Sequence, residues 1–170
     1  MLESGLSNAK ENQVKINRVQ VYDMDGTIVD SMHRYRTVTV NGKTSIDLEY
    51  WRKNEYRAMG DSLLPLAAQY KSDLLDPHCY VIIATARVIN RPDARFINQI
   101  LGCPDYIISR KHSDSQSGKT LKSNGLARFF NLKNFALADW TFYEDNVDYL
   151  NAVCSRFPIK PVFIQSNQGH

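Results

Sequence analysis

Apolar residues gather into five short runs, Val19 to Tyr22, Tyr80 to Ala84, Asp105 to Ile108, Thr141 to Tyr143 and Pro161 to Ile164. The stretches between them carry apolar positions at helical spacing, so the chain reads as repeated strand–helix units of an α/β domain. Tyr80 to Ala84 is apolar at every position, as expected of a strand covered on both faces. Thr37-Val-Thr-Val40 and Lys43-Thr-Ser-Ile46 flank Asn41-Gly42, a strong short-range hairpin signal. Asp47 then reads as a helix cap. Tyr50, Trp51, Tyr56 and Met59 give that helix an apolar stripe, and Leu63, Leu64, Leu66 and Ala67 supply the next after a break near Gly60. Core packing is the expected role of both stripes, with stacking of the aromatic pair on a nucleobase as the other reading.

A chain of 170 residues with 43% hydrophobic content is expected to form one domain, over residues 18–165. Segments 1–17 and 166–170 are polar and expected to be flexible. No stretch approaches membrane-spanning length, and the first residues lack the apolar core of a secretory signal, which predicts a cytoplasmic protein with no membrane partner. The net charge of +3 is too mild to argue by itself for nucleic acid. Cys79, Cys103 and Cys154 are odd in number and too scattered for a zinc motif, and are expected to be reduced, mostly buried thiols.

The densest chemistry lies in Asp23-Met-Asp-Gly-Thr27, at the exit of the first strand. Side chains two apart on a strand leave on the same face, so Asp23 and Asp25 can address one reacting atom, and two carboxylates this close call for a cation or a proton between them. Three further segments carry candidate residues. The run Tyr80 to Ala84 ends in Thr85-Ala-Arg87, where a threonine suits either a hydrogen-bond donor or a helix cap, and Arg87 suits either a phosphate contact or a carboxylate partner. Ser117-Gly-Lys-Thr-Leu-Lys122 opens a helical pattern in which Lys122, phased with Leu126 and Phe129, is preferred over Lys119 as the lysine of a site. Thr141-Phe-Tyr-Glu-Asp145 delivers adjacent acids, Glu144 and Asp145, where a strand meets a helix, and Asp148 follows. Gly118-Lys-Thr120 also looks like the end of a phosphate-binding loop, but Ser113 stands where that pattern requires glycine, which argues against a nucleotide kinase.

These four segments, in this order and spanning Val19 to Ile164, resemble the motifs of the haloacid dehalogenase (HAD) superfamily. The resemblance implies a three-layer α/β/α, Rossmann-like fold with a parallel five-stranded sheet and the site at the carboxyl ends of the strands. Segment 31–79 is too short for a large cap domain and implies a small flap, the capless type. The implied activity is Mg2+-dependent phosphomonoester hydrolysis through an aspartyl-phosphate, with Asp23 as nucleophile and Asp25 as general acid and base. Thr85, Lys122 and the Met24 backbone amide would hold the phosphoryl oxygens. Asp23, the Asp25 carbonyl and Asp145 would bind the metal, with Glu144 reaching it through water and Asp148 in a position where the family has a longer gap. Arg34, Arg36 and Arg87 are the expected substrate contacts, with His33, Lys43 and Arg110-Lys-His112 as further basic residues nearby. A looser similarity to polynucleotide-end-repair phosphatases of the same superfamily favours a nucleotide or a nucleic-acid 3′-phosphate end as substrate. A non-catalytic binding module and a phosphotransferase to an acceptor alcohol are the alternatives. Capless members also take a partner subunit as lid, so a homodimer is one arrangement open to this chain.

Overall fold

The computed structural model describes residues 14–166. Its frame is a five-stranded parallel sheet in the order β7-β6-β1-β8-β9, formed by β1 (Arg18–Tyr22), β6 (Cys79–Ala84), β7 (Tyr106–Ile108), β8 (Asp139–Glu144) and β9 (Ile159–Phe163). Each of the five apolar runs of the sequence overlaps one of these strands. β1 is central and pairs in register with both neighbours, Val21 opposite Ile82 on one side and Phe142 on the other. The chain builds outward from β1 to β6 and β7, then returns to lay β8 and β9 on the other side. The order therefore reverses between β1 and β8, and the strand ends diverge there into a crevice. Pro161 falls in β9, an edge strand, where a missing N–H is tolerated.

Alternation along β1 divides the core. Val19 and Val21 pack with Ile82, Phe142 and the buried faces of α4 (Gly118–Phe130) and α6 (Val147–Arg156). Tyr22 faces the opposite layer, where Val81, Ile83, Tyr70 of α2 (Ala67–Leu74) and Phe96 of α3 (Arg91–Phe96) are buried. α3 continues as a π-helical turn through Leu101, and a four-residue helix α5 (Lys133–Ala136) precedes β8. The result is the three-layer α/β/α fold that the resemblance implies. Among the described residues no helix is long and apolar enough to cross a membrane.

The insertion between β1 and β6 holds a short pair, β2 (Val29–Asp30) with β5 (Ser62–Leu63), and the expected hairpin, β3 (Thr37–Val40) with β4 (Lys43–Ile46). Asn41 and Gly42 both take positive φ, 51° and 77°, which is the conformation that makes Asn-Gly a hairpin turn. Asp47 caps α1 (Leu48–Asn54), its side chain accepting from Tyr50 N–H at 3.1 Å.

Three expectations change here. α1 stops at Asn54, a 3-10 turn over Glu55–Gly60 follows, and the aromatic stripe is not core: no residue of α1 is buried and Tyr56 is 71% exposed. Leu63 belongs to β5 and is exposed, so the second stripe begins only at α2. The thiols are not mostly buried; Cys79 is, Cys154 is half-buried and Cys103 is exposed. Of the ends expected to be flexible, 1–13 and 167–170 lie outside the described residues, while Asn17 N–H donates to the His78 carbonyl at 2.9 Å.

Candidate active site

The carboxyl ends of β1, β6 and β8 meet in a cavity of about 630 Å³. Each strand delivers residues by stopping there. β1 ends at Tyr22, and Asp23 N–H donates to the Tyr143 carbonyl at 2.9 Å, which pins the nucleophile candidate to β8. Gly26, with φ of 79°, then lets the chain fold back so that its N–H reaches the Val29 carbonyl. β6 ends at Ala84, and Thr85 N–H is held by the Ile108 carbonyl at 2.8 Å.

Of the two candidate lysines, Lys122 of α4 is the one whose side chain meets Asp23. Its Nζ donates to Asp23 Oδ1 at 2.7 Å and to Glu144 Oε2 at 2.5 Å, and its side chain is 1% exposed, whereas Lys119 is exposed. Burial works against the Lys122 charge, but Asp23 and Glu144 outweigh it and hold the ammonium above its ordinary pKa. Thr27 Oγ1 donates to Asp23 Oδ2 at 3.0 Å, so both oxygens of this carboxylate are oriented. Asp25 is held separately. Its Oδ1 accepts from Ser31 Oγ at 2.7 Å and from Arg87 Nη2 at 2.9 Å.

Asp23, Glu144 and Asp145 are all buried and offer oxygen atoms within 4.8 Å of one another. One lysine cannot balance three carboxylates. Burial first, and the charge of Asp23 next, push the Glu144 carboxyl well above its ordinary range, and a hard divalent cation among these oxygens would relieve the crowding of carboxylates. The oxygen-only donor set suits such a cation, and the backbone makes room beside it: a Cβ on Gly26 would lie 2.1 Å from Asp145 Oδ2. Asp148 is exposed on α6 and stands outside this cluster.

Two of the expected substrate arginines are not in the cavity. Arg34 is fully buried, its Nε and Nη2 pairing with Asp61 at 2.9 Å and its Nη2 with Asp93 at 3.0 Å. An arginine fork matched by carboxylates is stable inside a fold, and here that match draws the residue inward. Arg36 points to solvent and pairs with Asp47 at 2.8 Å. Arg87 does line the cavity, donating to Asp25 and, at 2.6 Å, to Asp93. Burial disfavours its charge, yet Asp25, Asp93 and Asp61 outweigh that and raise its pKa. Arg110 braces the loop that follows β7 by donating to the carbonyls of Ala86, Asp114 and Gln116. Met24 is fully buried with its side chain in the core, so the expected contact with a ligand would fall to its backbone amide. Of the hairpin, Ile46 alone lines the cavity; α1 contributes Leu48, Trp51 and Arg52 instead.

Sequence reasoning missed Asp61 and Asp93, which have no motif and gain meaning only from Arg34 and Arg87. It also missed Tyr149, whose ring lies over the Lys122 ammonium at 5.1 Å. Gly118 makes that placement possible, since a Cβ there would meet Tyr149 Cζ and the hydroxyl oxygen at 2.6 Å. Gly118→Ala is expected to displace the ring without unfolding the helix. kcat/KM should fall roughly two- to fivefold, the equivalent of about 0.5–1 kcal/mol of cation–π attraction. Steady-state kinetics beside a melting curve check this, and an unchanged kcat/KM would rule it out.

The family model described as bacteriophage T5 5′-deoxynucleotidase matches residues 11–156. The 5′-deoxynucleotidase of Escherichia phage T5 is 26% identical over 168 residues, covering 88% of this chain and 68% of that protein. Among solved structures, a haloacid dehalogenase-like family hydrolase from Streptococcus pneumoniae superposes with a TM-score of 0.58 at 13% identity, over 91% of this chain and 89% of that one. A chain of the Pnkp1/Rnl/Hen1 RNA repair complex superposes with a TM-score of 0.60 at 17% identity, over 98% of this chain; this chain spans 48% of that longer one. The chain therefore belongs to the bacteriophage T5 5′-deoxynucleotidase family, and its fold is shared with a haloacid dehalogenase-like hydrolase.

Proposed function

We propose that this protein hydrolyses the phosphomonoester of deoxynucleoside 5′-monophosphates, with Mg2+ as cofactor and Asp23 as the nucleophile. The observation that carries the reading is the Lys122 bridge between Asp23 and Glu144, because it fixes a carboxylate beside a buried cation on the wall of a cavity large enough for a nucleotide. Asp23 attacks phosphorus and forms an aspartyl-phosphate as the alcohol departs, which divides one difficult displacement into two easier ones. Asp25 donates a proton to the leaving oxygen and then accepts one from the water that cleaves the acyl phosphate. Arg87 and Ser31 keep its carboxylate directed while it does so. Lys122, Thr85 and the backbone amide of Met24 steady the transferred oxygens.

Asp23 and Asp145 are the side chains that would hold Mg2+, and when bound the ion neutralises the phosphoryl charge that repels an incoming carboxylate. Glu144 already accepts from Lys122 and, at 3.1 Å, from Asn146 N–H, so its role in this reading is to anchor the lysine.

The test is phosphate release from a panel of deoxynucleoside 5′-monophosphates, ribonucleotides and a 3′-phosphorylated oligonucleotide. Deoxynucleoside 5′-monophosphates are expected to be the best substrates. EDTA is expected to abolish release and added Mg2+ to restore it. Full activity in EDTA would remove the metal from the mechanism, and preference for the oligonucleotide would reassign the substrate.

A further inference from the structure

We propose that Trp51 forms the nucleobase subsite of this enzyme, stacking on the base of a mononucleotide whose phosphate lies at Asp23. The inference rests on the nucleotidase reading above and adds to it the residue that recognises the base.

The cavity has two chemistries. Residues at the strand ends bring carboxylates, Thr85 and Lys122, whereas the segment leading through α1 brings Tyr35, Ile46, Leu48 and Trp51, with Val88 beside them. A phosphate occupies only a small part of about 630 Å³, so the apolar wall is available to the rest of the substrate. That wall is not core. α1 has no buried residue, and Leu48 is 60% exposed. An indole left at a cavity surface on such a helix keeps apolar area in water until a ligand covers it.

Trp51 is also held still. The Arg34 guanidinium lies over its ring with Cζ 4.3 Å from the centroid, and Arg34 is itself fully buried and fixed by Asp61 and Asp93. Tyr35 braces the indole at 6.2 Å between ring centres. A flat, immobilised aromatic ring is the surface on which a base stacks with little entropic cost.

Arg87 links the two parts of the cavity. Arg87 donates to Asp25 at 2.9 Å, while its Cζ lies 5.6 Å from the Trp51 ring centre. The Asp25 carboxylate and the indole thus both neighbour one guanidinium, which puts the apolar wall beside the strand-end carboxylates.

Two measurements test the assignment. In the first, kcat/KM is compared for 2′-deoxyadenosine 5′-monophosphate and for 2-deoxyribose 5-phosphate, which carries no base. The nucleotide-over-sugar preference is expected to fall about tenfold or more in Trp51→Ala and to survive largely in Trp51→Phe, as loss and retention of a base–aromatic stack require. In the second, the same two ligands are titrated into Asp23→Asn protein and tryptophan emission is followed. The chain has two tryptophans and Trp140 is 4% exposed in the core, so quenching by the nucleotide but not the sugar phosphate reports on Trp51. Quenching without turnover of nucleotides by native enzyme would sink the nucleotidase reading and leave the subsite standing. Turnover with the native preference intact in Trp51→Ala, and no quenching, would overturn the subsite and leave the nucleotidase. Quenching by a 3′-phosphorylated oligonucleotide but not by the mononucleotide would overturn the mononucleotide assignment.

Discussion

Asp23→Asn is expected to lose phosphatase turnover by at least about 10⁴-fold, since removing a nucleophile leaves only binding and electrostatic contributions to the rate. The substitution is close to isosteric. Thr27 Oγ1 and Lys122 Nζ still find an oxygen or a neighbouring acceptor, so the protein is expected to fold with its cavity intact. Loss of turnover is then chemical and not a consequence of unfolding. A melting curve close to native, alongside phosphate release measured on a preparation free of contaminating phosphatase, separates the two. Appreciable Mg2+-dependent release from the variant would refute the nucleophile assignment and with it the aspartyl-phosphate.

Lys122→Met is expected to damage both stability and rate. The native Nζ sits between Asp23 at 2.7 Å and Glu144 at 2.5 Å with its side chain 1% exposed. Methionine fills much of the same volume but leaves two buried carboxylates facing each other without a cation. Breaking a buried ion pair from one side costs about 3–5 kcal/mol. At roughly 2–4 °C per kcal/mol for a chain of this size, the melting midpoint should drop by about 10 °C. The turnover number should fall about 10²- to 10³-fold, as when one donor to a developing charge is removed. Mg2+ is expected to raise the midpoint of the variant more than that of native protein, because the ion relieves the repulsion that the lysine no longer does. A variant that melts like native protein would mean that the bridge contributes nothing to the folded state.

How far the fold could be read in advance follows from what encodes it. β6 was legible because a strand covered on both faces has to be apolar throughout, and the β3–β4 turn because Asn41 and Gly42 are the residues that accept positive φ. α1 was misread. The aromatic residues of α1 and of the 3-10 turn after it have the spacing of a core stripe, yet Tyr56 faces solvent and Trp51 faces the cavity, and periodicity cannot tell a core from a cavity wall. The arginines divide in the same way. Arg34 and Arg36 are two residues apart and equally basic, but one has Asp61 and Asp93 within reach and is buried, while the other pairs with Asp47 and lies over the Tyr50 ring with its side chain exposed.

The sequence by itself determined the order of strands and helices, the strand-end positions of Asp23, Thr85, Glu144 and Asp145, and the family to which they point. These are local properties: an apolar run ends, a polar residue follows, and side-chain direction is set by the backbone period. Only the tertiary structure decided which lysine meets Asp23, that Glu144 is bound to that lysine, that Arg87 and Ser31 hold Asp25, and that Trp51 borders the cavity instead of the core. Ser31 lies six residues from Asp25, but the other contacts join groups far apart in the chain, 99 residues in the case of Lys122 and Asp23. Burial, charge balance and free volume select such partners after the layers have packed, and none of the three can be read from neighbouring residues.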